Sequence, residues 1–325
     1  MSLSREDLLR RCNHPNTIFG ARRVILAEGR GKGQRLVEVK TAGGLRASFL
    51  EDKCLDIFDL EYKGTNLAFY TKNGLTDVRH TEADSYHKYW AGGFLFTCGL
   101  RNVGPKCTVG DEFFPFHGRI GMTPAEHVSI KTTGDNITIT GTTKESALFG
   151  HSLEMERTIV IPAFGAEISV RDKVRNLAPE DEYVFLLYHI NFGHPFLSED
   201  LVVKFPEGEV RGRGPDDQAV INDHAKFTGP KDNQPENVFF HYPKEEYPVV
   251  SLNNPKLNIN AEIKYDRKQL PVLTQWKCMR AGDYALGIEP STSTVKGRAA
   301  ELESGYNIKV PAFGSLDYGF TVAFK

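Results

Sequence analysis

Apolar and polar residues alternate along many short stretches of the chain. Alternation with a period of two is clearest in NITITGTT from Asn136, EISVRDKV from Glu167 and LNINAEIKYD from Leu257. Such a pattern predicts strands that turn one face to a core and the other to water. Thirty glycines and seventeen prolines supply turns between these runs. The sequence therefore predicts a succession of antiparallel strands.

The only helix that the sequence clearly predicts lies at the N-terminus, before the NHP stretch at 13–15. The residue before a proline avoids helical geometry, so the helix should end there. Strands that alternate with long helical patterns are absent, which argues against a parallel α/β sheet. We expect an all-β sandwich of large antiparallel sheets, with a helical lead-in over 1–20 and a single domain over 21–325.

Composition and charge exclude some classes of binding partner and indicate a cellular compartment. The chain of 325 residues is 40% hydrophobic and 25% charged, which is typical of a globular protein. Its formal net charge of −2 gives no electrostatic reason to expect nucleic acid or an anionic membrane as a partner. No apolar run reaches the ~18 residues of a membrane span, so we expect no membrane partner. Five cysteines without a C-x-x-C pair indicate reduced thiols and a cytoplasmic location.

Two glycine-rich stretches are predicted to be connections. Residues 206–236 are rich in Gly, Pro, Asp and Asn, and we expect a long surface excursion there. GRGKG at 29–33 lacks the Lys-Ser/Thr ending of a phosphate-binding loop and has no helix behind it. This second stretch is therefore predicted to be a hairpin turn.

The first candidate for chemistry is FFPFHGRIGMTPAEH at 113–127. His117 can give or take one proton, Gly118 permits close backbone approach, and Arg119 presents a fork of hydrogen-bond donors. Together they suit the binding of a polyhydroxylated ligand. The alternative is a polar loop with an incidental histidine.

Two apolar strands deliver further polar groups. LLYHINFGHPFL at 186–197 carries His189 and Asn191, which lie on the same face of the predicted strand. The alternative for His189 is a purely structural role, because a histidine at a strand end often has no other. DYALGIE ends on Glu289, and a buried carboxylate is costly unless it is paired. Glu289 is therefore either a satisfied structural acid or a catalytic base.

The spacing of histidines and acids favours no metal site. The chain has no H-x-H pair, and its other histidine and acid spacings fit no familiar cluster, so we expect no metal. No G-x-S-x-G elbow exists, which argues against a serine hydrolase.

Four stretches in this order resemble the aldose 1-epimerase (galactose mutarotase) superfamily, in particular a divergent branch similar to deoxyribose mutarotases. The stretches are GGFLFTCGLRNVG at 92–104, FHGRIGMTPAE at 116–126, LLYHINFGHP at 186–195 and ALGIEPSTS at 285–293. The resemblance covers the chain from about residue 20 onward, and it implies a galactose mutarotase-like β-supersandwich.

The resemblance also implies roles for particular residues. Glu289 would be the base on the anomeric hydroxyl, His189 the acid on the ring oxygen, and His117 a second imidazole. Four further residues are implied or predicted as contacts to the sugar: Arg119, Asn102, Asn191 and Trp276.

The implied reaction is a cofactor-independent isomerisation, the interconversion of α and β anomers of a free aldose, with pentoses and deoxypentoses among the candidates. One group takes the proton of the C1 hydroxyl while another protonates the ring oxygen, and the roles reverse on closure. The expected partner is a small monosaccharide, and we expect a monomer or a homodimer. The alternative is a carbohydrate-binding or sensing protein on the same fold without turnover.

Overall fold

The computed structural model describes residues 5–77 and 86–325. Its strands, numbered in chain order, are β1 Gly20–Ile25, β2 Arg35–Lys40, β3 Leu45–Leu50, β4 Asp56–Tyr62, β5 Thr65–Asn66, β6 Leu95–Leu100, β7 Cys107–Val109, β8 Glu112–Phe114, β9 Glu126–Thr132, β10 Asn136–Ser146, β11 Ser152–Pro162, β12 Glu167–Asn176, β13 Glu182–Tyr183, β14 Phe185–Phe192, β15 Val202–Lys204, β16 Gly208–Gly212, β17 Asn237–Pro243, β18 Val249–Asn254, β19 Ile259–Tyr265, β20 Val272–Arg280, β21 Asp283–Ser291, β22 Lys309–Val310 and β23 Ser315–Phe324.

Helices are short in the part of the chain that the structure describes. They are α1 Arg5–Arg11, α2 Tyr86–Tyr89, α3 Pro215–Ala219 and α4 Arg298–Glu303, with single 3₁₀ turns at Pro15–Thr17, Ile120–Met122 and Ile221–Asp223. The predicted N-terminal helix is confirmed as α1, and residues 1–4 of the predicted lead-in lie outside the described residues. None of the described helices has the length and apolarity needed to cross a membrane.

Three large sheets make the sandwich, and their neighbouring strands pair antiparallel. A five-stranded sheet runs β1-β2-β3-β4-β5, an eight-stranded sheet runs β15-β18-β19-β23-β12-β11-β10-β9, and a six-stranded sheet runs β16-β17-β20-β21-β14-β6. Two two-stranded sheets lie outside them, the hairpin β7-β8 and the pair β13-β22. The prediction of an all-β fold built from large antiparallel sheets is confirmed.

The main apolar core lies between the sheets. It takes Val37 from the five-stranded sheet, Ile139 from the eight-stranded sheet and Ile190 from the six-stranded sheet. Strands β10 and β12 alternate buried and half-buried residues as their sequences predict. Cys12 and Ile18 also pack against this core, which attaches the N-terminal segment to the sandwich. The boundary at residue 20 stays a prediction.

The two predicted connections had different outcomes. GRGKG at 29–33 forms the turn between β1 and β2, as predicted. The segment 206–236 is not merely a surface excursion, because it contributes edge strand β16 to the six-stranded sheet and also helix α3. These short elements could not be predicted from composition, because glycine, proline and asparagine are typical of loops.

Strand β14 carries two of the predicted site residues, His189 and Asn191. All eight residues of this strand are buried. Tyr188 and Ile190 belong to the main core. Successive side chains of a strand point to opposite faces, so His189 and Asn191 lie on the other face of the six-stranded sheet.

A buried ionic network joins the three sheets around Arg157 of β11. The Arg157 guanidinium donates to Asp172 of β12 at 2.7 and 2.8 Å and to Asp56 of β4 at 2.7 Å. It also donates to the hydroxyl of Thr97 on β6, 2.8 Å away. Tyr188 of β14 donates its hydroxyl proton to Asp172 over 2.8 Å. The three ionic side chains are at most 3% exposed, so each charge needs its partners.

Replacing Arg157 with Met should strongly destabilise the fold. The variant leaves two carboxylates buried without their counterion, and the expected loss in free energy of unfolding is about 3–5 kcal/mol. Urea unfolding measures it. The matched control is Arg22→Met, because the pair of Arg22 with Glu38 is exposed, with side chains 75% and 43% accessible. Its expected loss is below about 1 kcal/mol, and equal losses in the two variants would contradict the account.

Candidate active site

Adjacent strands β14 and β21 bring His189 and Glu289 together. The register pairs Leu187 with Ser291 and Ile190 with Ile288, which places His189 opposite Glu289. His189 Nδ1 lies 3.3 Å from Glu289 Oε1. Both residues are buried, at 5% and 1% exposure. The fold therefore brings together two titratable residues that are a hundred positions apart in sequence.

The tautomer of His189 follows from its neighbour Asn191. The Asn191 amide nitrogen donates to the carbonyls of Gly93 at 3.0 Å and His189 at 2.9 Å, so its oxygen faces the imidazole. That oxygen lies 2.5 Å from His189 Nδ1 and can only accept. Nδ1 therefore carries a proton, and Nε2 is the acceptor nitrogen of the neutral ring.

Glu289 has an unusual environment for a carboxyl group. Its Oε1 atom is buried and has no hydrogen-bond partner among the described residues, because the approach of His189 lacks hydrogen-bond alignment. The chain makes room for it with Gly287, where a Cβ would lie only 2.1 Å from Oε1. Buried polar atoms are almost always satisfied, so an orphaned oxygen indicates a place for a ligand group.

His117 reaches the same place from a tight turn. The turn needs left-handed backbone at His117 and Gly118, with φ of 57° and 75°. A Cβ on Gly118 would lie 2.1 Å from the carbonyl oxygen of Gly99, so only glycine fits. The His117 ring centroid is 5.8 Å from that of His189, and the two rings are nearly perpendicular.

Burial shifts the pKa values of Glu289, His189 and His117 in the direction that favours the neutral form of each group. It raises the pKa of Glu289 well above its ordinary value, and the charge of Glu236 adds to this rise. Burial lowers the pKa of His189 to about 4, against smaller opposing effects of Asn191 and Glu236. Burial also lowers the pKa of His117 well below its ordinary value, and the neighbouring His189 and His87 lower it further.

These shifts change the expected ionisation of the site. The sequence alone suggests an ionised glutamate near neutrality and a histidine kept protonated by a nearby carboxylate. In the structure desolvation outweighs that pairing, because both groups lie almost entirely out of water. A carboxylic acid beside a neutral imidazole is the favoured resting state.

Aromatic side chains cover the three groups. The ring centroids of Trp90 and Trp276 lie 5.3 and 5.4 Å from that of His189. Tyr86 stacks on Trp90 at 5.5 Å and lies 5.3 Å from the ring of His117. Sequence analysis named only Trp276 of these. The signal that it overlooked is the YHKYW run at 86–90, one residue before the GGFLF stretch.

The segment 206–236 contributes to this cover through Glu236. The Trp276 indole N–H donates to Glu236 Oε2 over 2.8 Å, and Arg213 donates to Glu236 Oε1 over 2.9 Å. Glu236 therefore fixes one aromatic wall of the site and also acts on the pKa values of Glu289 and His189. Nothing in the local sequence around Glu236 predicts this contact.

The other predicted contact residues lie differently from expectation. Arg119 donates to the Phe113 carbonyl at 2.8 Å and lies 3.9 Å from Glu145, so its recorded contacts are outside the His189–Glu289 pair. Asn191 accepts from His189 Nδ1 with its amide oxygen and uses its amide nitrogen for two backbone carbonyls. The Asn191 amide is therefore used within the protein. Arg119 makes one side-chain hydrogen bond and is 40% exposed, so its contact to a sugar stays a prediction.

The Asn102 amide also bonds within the protein. Its amide nitrogen donates to the Pro105 and Pro115 carbonyls, and its oxygen accepts the backbone N–H of Arg298. Asn102 is fully buried and has no donor left for a sugar. Its contacts span up to 196 residues of sequence, which a local motif cannot reveal.

The described residues were also compared with the ligand sets that hold metal ions in proteins. Within residues 5–77 and 86–325, no group of three or more His, Cys, Asp or Glu side chains is arranged to hold a metal ion.

A family model matches almost the whole chain. The model, described as a domain of unknown function (DUF4432), matches residues 31–323. The chain belongs to the DUF4432 family. A search among curated proteins found no match.

Solved structures show the fold that this DUF4432 protein shares. A Klebsiella pneumoniae protein, provisionally described as an aldose 1-epimerase, is 21% identical with a TM-score of 0.88, over 94% of this chain and 83% of its own. A galactose mutarotase-like protein from Clostridium acetobutylicum is 15% identical with a TM-score of 0.67, over 95% and 99%. A galactose 1-epimerase from Lactobacillus acidophilus is 12% identical with a TM-score of 0.64, over 94% and 99%. The predicted galactose mutarotase-like fold is confirmed.

Replacing His189 with Gln should reduce the sensitivity of this DUF4432 protein to acid. The folded pKa of about 4 lies below the ordinary value of 6.5. The unfolded chain therefore binds more protons between these values, and stability is lost as the pH falls from about 6.5 to 4. His189 should account for up to about 3 kcal/mol of that loss.

Urea unfolding at pH 7 and at pH 4.5 measures the effect as a difference between the two pH values. The control is His127→Gln, because His127 is exposed. A His189 variant that loses as much stability on acidification as the native chain would show that the imidazole is not held neutral by burial.

Proposed function

We propose that this DUF4432 protein is a mutarotase, which interconverts the α and β anomers of a free aldose without a cofactor. The observation that carries the proposal is the buried, unpartnered Glu289 Oε1, 3.3 Å from His189 and on the same side of the sheet as His117. The fold shared with aldose 1-epimerase-type proteins supports the proposal.

The acid–base pair can run the reaction with one proton. In the resting state Glu289 is the acid and His189 Nε2 the base, because burial favours the neutral form of each group. Because Nδ1, the nitrogen that faces Glu289, already carries a proton, the acid proton reaches Nε2 only through the oxygens of a bound sugar. That transfer gives the ion pair in which Glu289 is the base and His189 the acid. Ring opening removes a proton from the C1 hydroxyl and adds one to the ring oxygen, so the C1–O5 bond breaks while the pair exchanges states.

Ring closure after rotation about C1–C2 reverses both transfers, so the pair returns to its first state. The assignment from family resemblance, with Glu289 as base on the anomeric hydroxyl and His189 as acid on the ring oxygen, starts the same reaction from the ion-pair form. Neither group needs an external proton source. The same pair therefore serves both anomers.

His117 supports the pair as a hydrogen-bond donor. Gly104 N–H donates to His117 Nδ1 over 3.2 Å, so the neutral ring carries its proton on Nε2. That N–H can bind a sugar oxygen on which negative charge develops. The aromatic side chains Trp90 and Trp276 then offer apolar faces to the C–H groups of a sugar ring.

Replacing Glu289 with Gln should abolish catalysis of anomer exchange while it spares the fold. Glutamine keeps the size of the side chain but cannot exchange a proton, so the rate should fall about 10²–10⁴-fold. Saturation-transfer NMR on a panel of free hexoses, pentoses and deoxypentoses measures the exchange and identifies the substrate.

The matched control is Glu51→Gln, because Glu51 is equally buried, at 1% exposure, and lies at the end of β3 among arginines. It should leave the exchange rate unchanged. A Glu289 variant that equilibrates anomers at the native rate would refute the catalytic assignment. Sugar binding by the native chain without any acceleration would favour the non-catalytic carbohydrate-binding alternative.

A further inference from the structure

The Asn102 side chain lies between two loop segments. Its amide nitrogen donates to the carbonyl of Pro105 over 3.1 Å and to the carbonyl of Pro115 over 2.8 Å. The first bond closes the turn that follows β6. The second fixes the segment that leads to His117. One amide therefore holds both segments at a set distance from each other.

The orientation of this amide is fixed from a third direction. Asn102 Oδ1 accepts the backbone N–H of Arg298, at the start of α4, over 2.7 Å. The Arg298 guanidinium returns to the Arg101 carbonyl at 3.1 Å and to Glu182 at 2.9 Å. Since a carbonyl can only accept and a backbone N–H can only donate, the amide has one possible orientation.

The contact between Gly104 and His117 lies between the two segments that Asn102 holds. Gly104 N–H donates to His117 Nδ1 over 3.2 Å, and His117 N–H donates to the Gly104 carbonyl over 2.8 Å. Gly104 has a φ of 95°, and a Cβ there would lie 2.4 Å from the Val295 carbonyl oxygen. The turn is therefore packed directly against the backbone at Val295.

We propose that Asn102 is a positioning residue that sets the tautomer of His117 by holding Gly104 N–H against Nδ1. Neutral His117 then presents Nε2–H as a donor, whereas Asn191 leaves His189 with Nε2 as an acceptor. The two imidazoles are complementary, as binding a hydroxyl group that both accepts and donates requires. The consequence for catalysis rests on the proposed mutarotase function, but the tautomer itself does not.

The experiment uses the full chain with ¹⁵N-labelled histidine, and two-bond ¹H–¹⁵N correlation NMR near neutral pH reports the tautomer of each ring. The native protein should show His117 with the proton on Nε2. A native ring protonated on Nδ1 would overturn the proposal at once. Comparison with a His117→Gln sample assigns the signals.

Asn102→Ala should destroy this preference, because Gly104 N–H is no longer held in place, and His117 should then show a mixture of tautomers. The matched control is Asn176→Ala. Asn176 is equally buried and bridges backbone in the same way, to Glu180, Val310 and Ala178, but it lies at the end of β12. The control should keep the native tautomer of His117.

A His117 tautomer unchanged in Asn102→Ala, or altered equally in Asn176→Ala, would overturn the proposal. If Asn102→Ala does not fold, Asn102→Asp replaces it, since aspartate keeps the acceptor for Arg298 but loses both donors. The rate of anomer exchange should fall about tenfold in the Asn102 variant, the effect of one neutral hydrogen bond. A native chain with the stated tautomer but no exchange activity would refute the mutarotase function and leave the positioning role intact.

Discussion

The guanidinium of Arg157 is the group on which the arrangement of the sheets depends. It is buried between Asp56 and Asp172, so the two strands that carry these acids cannot move apart without leaving a buried charge unpaired. Through Thr97 and Tyr188 the same network reaches two strands of the six-stranded sheet. Apolar packing gives most sandwiches their stability, but here directional polar bonds also fix the relative position of three sheets.

That network also determines where the candidate site lies. Tyr188 is held on the core face of β14, and the alternation of a strand then turns His189 to the opposite face. Because β21 pairs with β14 in a fixed register, Glu289 arrives beside the imidazole. The site therefore combines a rigid sheet with two groups that burial keeps neutral. A carboxylic acid and a neutral imidazole are equivalent in proton count to an ion pair, and a reversible reaction can use both forms.

The sequence predicts those parts of the structure that depend on local pattern. Alternation identifies strands such as β10 and β12, and the glycine after His117 indicates the close backbone approach that the structure has there. Glu289 could be identified as a candidate because a carboxylate follows an apolar run, although β21 continues past it to Ser291. These features need only neighbouring residues, and the register of antiparallel strands does the rest.

The remaining features depend on contacts between distant segments. Asn102 resembles a ligand-binding residue in its motif, yet its partners Pro115 and Arg298 occupy both ends of its amide. Glu236 lies in a stretch with the composition of a loop, and its link to Trp276 exists only because β17 and β20 pair. The protonation states could not be predicted either, because the depth of burial is a property of the folded chain.

The central claim is that burial keeps Glu289 protonated beside a neutral His189. A pH titration followed by NMR, with ¹³C-labelled glutamate carboxyls and ¹⁵N-labelled histidine rings, tests it most directly, and the Glu289→Gln and His189→Gln samples assign the signals. We expect the Glu289 carboxyl to titrate well above its ordinary value and the His189 ring to titrate at about 4. A carboxyl that titrates near its ordinary value of about 4.3, beside an imidazole near about 6.5, would contradict the account.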